Sequence, residues 1–246
     1  MKNLITLLAF LTTTISFAQS KAPSPEIWNT LLKKHVSAQG KVNYKGFISD
    51  SVQLNIYLKN LSENKPNEKS WSINEQKAYW INAYNAFTVK LIIKYYPVKS
   101  IKDIGSKLQV PFVNTVWDIK FIKIGKDTYD LNEIEHNQLR KKFGDARVHF
   151  ALVCASKSCP VLLNEAYTSE KLDSQLDAQA KIFLMDKSRN DISANKPKLS
   201  KIFDWYGMDF KSKNVSVIDY INKYATTKIN STAVITYLDY SWDLNE

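Results

Sequence analysis

Apolar positions along the chain follow two periods, and the helical one dominates. In residues 24–36, Ile27, Leu31, Leu32 and Val36 fall on one stripe, which predicts a short amphipathic helix. Leu54, Tyr57, Leu58 and Leu61 predict another over 50–62. The strongest signal covers 73–95, which is apolar nearly all round and so predicts a buried central helix. Ser72 and Glu75 form a capping box at its start, and Pro97 stops it just after Tyr96. A helix over 131–142 opens with the capping pair Asp130 and Glu133. Leu172, Leu176, Ala180, Phe183 and Leu184 predict a helix over 169–187, and residues 215–225 also read as helical.

The period of two is rarer. Trp117, Ile119 and Phe121 alternate as in a strand, and Gly125-Lys126-Asp127 turns the chain into a second strand. "RVHFALVC" (147–154) is a near-continuous apolar run, which predicts a buried strand over 147–153. "STAVITYLDYSW" (231–242) predicts a final strand. Helices and strands mix without regular alternation. The expected fold is therefore α+β, a single domain with a small mixed sheet packed on the buried central helix.

The first residues stand apart from this pattern. Lys2 precedes an apolar run from Leu4 to Leu11, and the small residues Ser16 and Ala18 precede Gln19. That is the layout of a secretory signal peptide over 1–18, leaving 19–246 as one globular domain and placing it in the periplasm or outside the cell. The run is too short to span a bilayer, and no later segment is apolar enough to do so. The formal net charge is +10, but the lysines are spread along the chain and read as a solvated surface. With export and no recognition motif, nucleic acid is not an expected partner; a peptide or cell-wall polymer is.

Candidate chemistry gathers in one stretch. The chain has two cysteines and three histidines, and Cys154, Cys159 and His149 all lie within "RVHFALVCASKSCPVL" (147–162). In a strand, His149 points away from Cys154, and the two meet only where the chain turns sharply at Cys154. Cys159 precedes Pro160, which favours the first turn of a helix. A thiol at such a cap has its thiolate stabilised by free N–H groups, and the N–H groups around 158–160 are then positioned to hold an oxyanion. The competing readings are a structural Cys154–Cys159 disulfide and a catalytic thiol, Cys159 ahead of Cys154, with His149 or His136 as base. Zinc held by His149, Cys154, Cys159 and His136 matches no standard ligand spacing, and redox exchange more often uses two intervening residues. Inert buried thiols complete the set.

Two helices carry further candidates. Glu75, Asn82 and Asn85 share one broad face of the central helix. Either Glu75 caps while the amides pin loop backbone, or an asparagine orients a catalytic imidazole. His136 and Arg140 are one turn apart, one turn after Glu133, which suits an ordinary surface ion pair. Glu135 falls toward the apolar side with Leu131 and Leu139.

The segments "NEQKAYWINAYNAFTVK" (74–90), "LNEIEHNQLR" (131–140), "DARVHFALVCASKSCPVL" (145–162), "LSKIFDWYGMDF" (199–210) and "YLDYSWDLN" (237–245) together resemble the domain-of-unknown-function family 547. The resemblance implies one domain, usually exported in bacteria, and no established activity. It marks Glu75, Trp80, Asn82, Asn85, Glu135, His136, Arg140, His149, Cys154, Ser158, Cys159 and Pro160 as a set. The expected function is a thiol-dependent hydrolase or acyl transferase acting on peptide or cell-wall amides. Cys159, Cys154, His149, His136, Asn82, Asn85 and Glu75 are its catalytic candidates, and Arg140, Glu135, Ser158 and Trp80 its binding candidates, with no metal or cofactor. The alternative is a non-enzymatic binding module whose Cys154–Cys159 loop is fixed by a disulfide.

Overall fold

The computed structural model describes residues 22–107 and 115–246. The leader predicted over 1–18 lies outside them. Among the described residues the architecture is α+β, with far more helix than strand.

Four helices open the chain: α1 (Glu26–His35), α2 (Tyr44–Ser49), α3 (Ser51–Glu63) and α4 (Ile73–Tyr95). The expected helix α4 begins where its capping box dictates. The Ser72 hydroxyl accepts from the Glu75 N–H, and the Glu75 carboxylate accepts from the Ser72 N–H at 2.7 Å. Its residues are buried on all sides from Gln76 to Val89, as expected of a central helix. Trp28, Leu31 and Leu32 of α1 and Leu54, Tyr57, Leu58 and Leu61 of α3 pack with it into one core. The short α2 was not expected from the sequence; Asn43 caps it by accepting from the Gly46 N–H at 2.9 Å.

The strand content is smaller than the apolar alternation suggests. Helix α5 (Lys102–Lys107) and a 3₁₀ turn at Val116–Asp118 come first. The hairpin is β1 (Ile122–Ile124) against β2 (Asp127–Tyr129), turned by Gly125 at φ 62°. A parallel pair joins β3 (Lys198–Leu199) to β4 (Thr236–Tyr237). Trp117 thus belongs to a 3₁₀ turn, and the long final strand shrinks to two residues. The helix expected over 131–142 is present but is not plain α. An α turn, Leu131–Glu133, runs into a π-helical stretch, Ile134–Arg140, and a second α turn, Lys141–Phe143.

The clearest correction concerns 147–153. Ala146–Phe150 is a 3₁₀ helix, capped by the Asp145 carboxylate on the Arg147 N–H, and not a strand. The burial expected of the run is real, because the segment lies between two cores. Val148 packs into the core around α4, while Ala146 and Phe150 pack into a second core with Phe183, Phe203 and Phe210. A segment buried on all sides reads the same in sequence whether it is strand or tight helix. The second core is completed by the helices Leu172–Met185, Ile202–Trp205 and Val217–Tyr224.

The C-terminal residues return to the centre. Asn245 N–H donates to the Ala155 carbonyl at 3.2 Å, Lys157 N–H to Asp243 at 2.8 Å, and Leu244 N–H to Lys99 at 2.8 Å. This pairing lays Tyr240 and Trp242 beside the Cys154 loop.

Candidate functional site

Residues from seven regions of the chain line a cavity of about 260 Å³. They include Cys154, Cys159 and Pro160 from the loop, His149 from the 3₁₀ helix, and Asn132 and Glu135 from the bent helix. Tyr84 of α4 and the aromatic rings of Trp117, Trp205, Tyr206, Tyr240 and Trp242 complete the wall. The volume suits a group about the size of one side chain.

The loop geometry starts at Asn85. This buried amide donates to the Ala151 carbonyl at 2.9 Å and accepts from the Val153 N–H at 3.0 Å. It therefore fixes the backbone directly before Cys154. Ala155 then takes a left-handed conformation, φ 62°, and the chain doubles back. The result is a ring of donors around one sulfur. The Cys154 Sγ lies 3.3 Å from the Ser156 hydroxyl and 3.3 Å from the Tyr240 hydroxyl. The Ser156 hydroxyl also donates to the Tyr240 oxygen at 3.1 Å, so the Tyr240 hydrogen is left for the sulfur, and the Cys159 thiol adjoins it. Burial pushes the Cys154 thiol up, but the donors from Cys159, Ser156 and Tyr240 outweigh it and bring the thiol down to about 7.

Cys159 behaves in the opposite way. It is 3 % exposed, and burial together with the neighbouring Cys154 pushes its thiol well above the ordinary range. Its sulfur accepts from the Cys154 N–H at 2.8 Å. Both cysteines are free thiols, so the disulfide reading does not describe this state. Of the two, Cys154 is the half-buried, activated one.

The expectation of a helix N-terminus at Cys159 is not met. Residues 155–161 are turn and extended backbone, and no helix starts at Pro160. Nor are the N–H groups at 158–160 free for an oxyanion. Ser158 N–H donates to Ser241 at 3.3 Å, Cys159 N–H to Ser156 at 3.1 Å, and Pro160 has none. Tyr84 also lines the cavity, and no described group hydrogen-bonds its hydroxyl. Burial, and the charges of Glu135 and Cys154, hold its proton on.

His149 is 4 % exposed and sits in an aromatic slot, stacked on Tyr206 at 4.2 Å and tilted against Phe210 at 5.4 Å. Its Nε2 lies 2.7 Å from the Asp209 carboxylate. Hydrogen bonding from His149 and the Arg140 guanidinium holds that carboxyl well below the usual carboxylate range, so it is an acceptor and Nε2 carries the hydrogen. No described group hydrogen-bonds Nδ1. Arg140 grips Asp209 through Nε and, at 3.0 Å, through Nη2, while its Nη1 donates to His136 Nδ1 at 2.8 Å. No hydrogen bond among the described residues joins His149 to either sulfur.

The other candidates divide clearly. His136 and Arg140 stand behind His149 and do not line the cavity. Glu135, 7 % exposed on the π-helical stretch, does line it, and its charge helps hold the proton on the neighbouring Tyr206 hydroxyl. Asn82 pins the Tyr167 backbone on the far side of α4, donating at 2.8 Å and accepting at 3.0 Å. Glu75 caps α4, Trp80 is a core ring edge-on to Tyr79 and Tyr129, and Ser158 accepts from the Ser241 N–H at 2.9 Å. The residues that sequence reasoning missed are Asp209, Tyr84, Tyr206 and Tyr240. Their only signal was a carboxylate and hydroxyls set among aromatics in conspicuous segments. Among the described residues, no three His, Cys, Asp or Glu side chains group as metal ligands. No described helix is long and apolar enough to cross a membrane.

The family model described as "Protein of unknown function, DUF547" matches residues 68–184, and the chain resembles that family over this span. The matched span holds Tyr84, Glu135, His149, Cys154 and Cys159, while Asp209 and Tyr240 lie beyond it. No curated protein and no solved structure matches the chain.

Proposed function

We propose that the chain is an exported thiol-dependent acyl-transfer enzyme, hydrolysing or transferring the acyl part of a peptide or cell-wall amide. The observation that carries this reading is the donor ring that lowers the Cys154 thiol inside an aromatic cavity also lined by His149. A buried structural cysteine needs no such ring.

In this reading Cys154 Sγ attacks the amide carbon and forms a C–S bond. The Tyr84 hydroxyl donates to the carbonyl oxygen as negative charge develops there. The C–N bond breaks, and the leaving amine takes a proton from His149 Nδ1, which has carried the thiol's proton since the thiolate formed. Water then attacks the thioester, gives a proton to His149, and releases the acid and the Cys154 thiolate. Because donors already stabilise the thiolate, His149 serves the leaving group and needs no preformed bond to sulfur. Asp209 holds its ring and tautomer, as a carboxylate does in other imidazole-based sites.

The test is amide hydrolysis by the mature chain against a panel of fluorogenic peptide amides. Cys154→Ser is expected to lower turnover by roughly three orders of magnitude or more. Undiminished turnover in that variant rules the reading out. A second reading rests on the hydrogen-bonded pairing of a lowered and a raised thiol, which also suits disulfide exchange with Cys159 as the resolving thiol. Cys159→Ser separates the two, since it keeps a hydroxyl donor beside Cys154 and so retains most of the hydrolysis, but abolishes exchange.

A further inference from the structure

The cavity's charge runs against that of the chain. Lys and Arg outnumber Asp and Glu by 34 to 24. Yet among the described lining residues there is no lysine or arginine, and Glu135 is the one carboxylate. The nearby cations are already engaged. Arg140 is matched by Asp209 and stacks over Tyr206 at 4.7 Å. The Lys102 ammonium lies 4.1 Å from the centroid of Trp242. His149 Nε2 donates to Asp209, and His136 accepts from Arg140. In the acyl-transfer reading the Cys154 thiolate is met by the imidazolium of His149, and Arg140 alone faces both Asp209 and Glu135, which leaves one negative charge in excess on the Glu135 side of the cavity.

The walls have the same preference. The rings of Trp117, Tyr84 and Tyr240 line the wall and attract cations through their quadrupoles; Tyr206 already carries His149 and Arg140, and Trp242 already carries Lys102 and Trp205. Glu135 is buried, and its charge acts on Tyr84, Tyr206 and Arg140. A buried carboxylate is costly unless further donors or a counter-charge reach it.

We propose that Glu135 and the surrounding rings seat a primary ammonium group of the substrate, so that the amide presented to Cys154 belongs to an amine-bearing peptide or wall fragment. The identity of the reacting amide rests on the acyl-transfer reading; the ammonium seat does not. A substrate carboxylate would instead meet the like charge of Glu135 in a low-dielectric space.

The experiment compares three thiol reagents of similar size on the full mature chain: 2-aminoethyl, methyl and 2-sulfonatoethyl methanethiosulfonate. Labelling of Cys154 is followed by peptide mass mapping, and each rate is divided by that for glutathione. The expected ratio of aminoethyl to sulfonatoethyl rate is about tenfold above glutathione's or more. Glu135→Gln, which keeps the side-chain shape, is expected to lower that ratio roughly fivefold. Using the ratio cancels any change in thiolate fraction. A ratio equal to that of glutathione, or one that Glu135→Gln leaves unmoved, overturns the proposal. If Cys154 reacts with none of the reagents, the acyl-transfer reading fails, and a second readout decides the seat. Benzylammonium should then change tryptophan emission saturably in the parent chain and not in Glu135→Gln, while phenylacetate does so in neither. The absence of a benzylammonium response overturns the proposal.

Discussion

Replacing Tyr240 by Phe removes one donor from the Cys154 sulfur and leaves the ring that packs against Trp205 at 4.8 Å and Trp242 at 4.6 Å. A hydrogen bond to a charged acceptor contributes about 1.5–3 kcal/mol. The Tyr240 oxygen stands 3.3 Å from a soft sulfur, so the low end applies. About 1.4 kcal/mol corresponds to a tenfold change. The midpoint of Cys154 reactivity, now near about 7, is therefore expected to move about one pH unit toward the ordinary thiol range. The assay is the rate of iodoacetamide labelling at Cys154 from pH 5 to 10. Tyr240→Phe should label roughly tenfold more slowly at pH 6 and nearly as fast as the parent at pH 9.5. Equal slowing at both ends would mean that the ring gates access and the hydroxyl does not tune the thiol. An unchanged profile would refute the donor-ring account altogether.

Other perturbations separate structure from chemistry. Asn85→Ala strands the Ala151 carbonyl and the Val153 N–H, both buried, and should cost about 2–4 kcal/mol, read as a lower urea midpoint at unchanged slope. Asp209→Asn should cost about 1–2 kcal/mol at neutral pH, since part of the pair is exposed to solvent. Its sign with pH is fixed. The Asp209 carboxyl is lowered in the folded chain, so its contribution is whole above about pH 4 and drains as pH falls through the folded value. The stability gap between parent and Asp209→Asn should therefore narrow in acid, and a gap that widens would contradict the His149–Asp209–Arg140 arrangement.

What the sequence disclosed follows from where the information sits. Helix α4 was legible to the residue because Ser72, Glu75 and Pro97 are local signals. The 147–153 segment was legible as buried but not as 3₁₀, because a run enclosed by two cores carries no period. Asn82 and Asn85 look alike in sequence, and both pin backbone; only the backbone under Asn85 leads into the cavity. Asp209 lies 60 residues from His149 in sequence, and the contact depends on two cores packing side by side. The preference for Cys159 over Cys154 came from a helix cap that the chain does not form. Tyr84, Tyr206 and Tyr240 carry no signal of their own in the sequence, because their hydroxyls gain meaning only through neighbours brought in by the fold.

The π-helical stretch Ile134–Arg140 has a consequence of another kind. Such a stretch holds more residues per turn than an α-helix, so Glu135 and Arg140, five positions apart, come round to the same side of it. In plain α winding the same five positions would part the two side chains by about 140°. Arg140 would then lose its aim at Asp209 while Glu135 kept the cavity wall. The winding of this segment therefore matters as much as its composition. Two chains holding the same residue types in the same order could differ in the hydrogen bonding of one turn, and only the one with the wider turn would have the site.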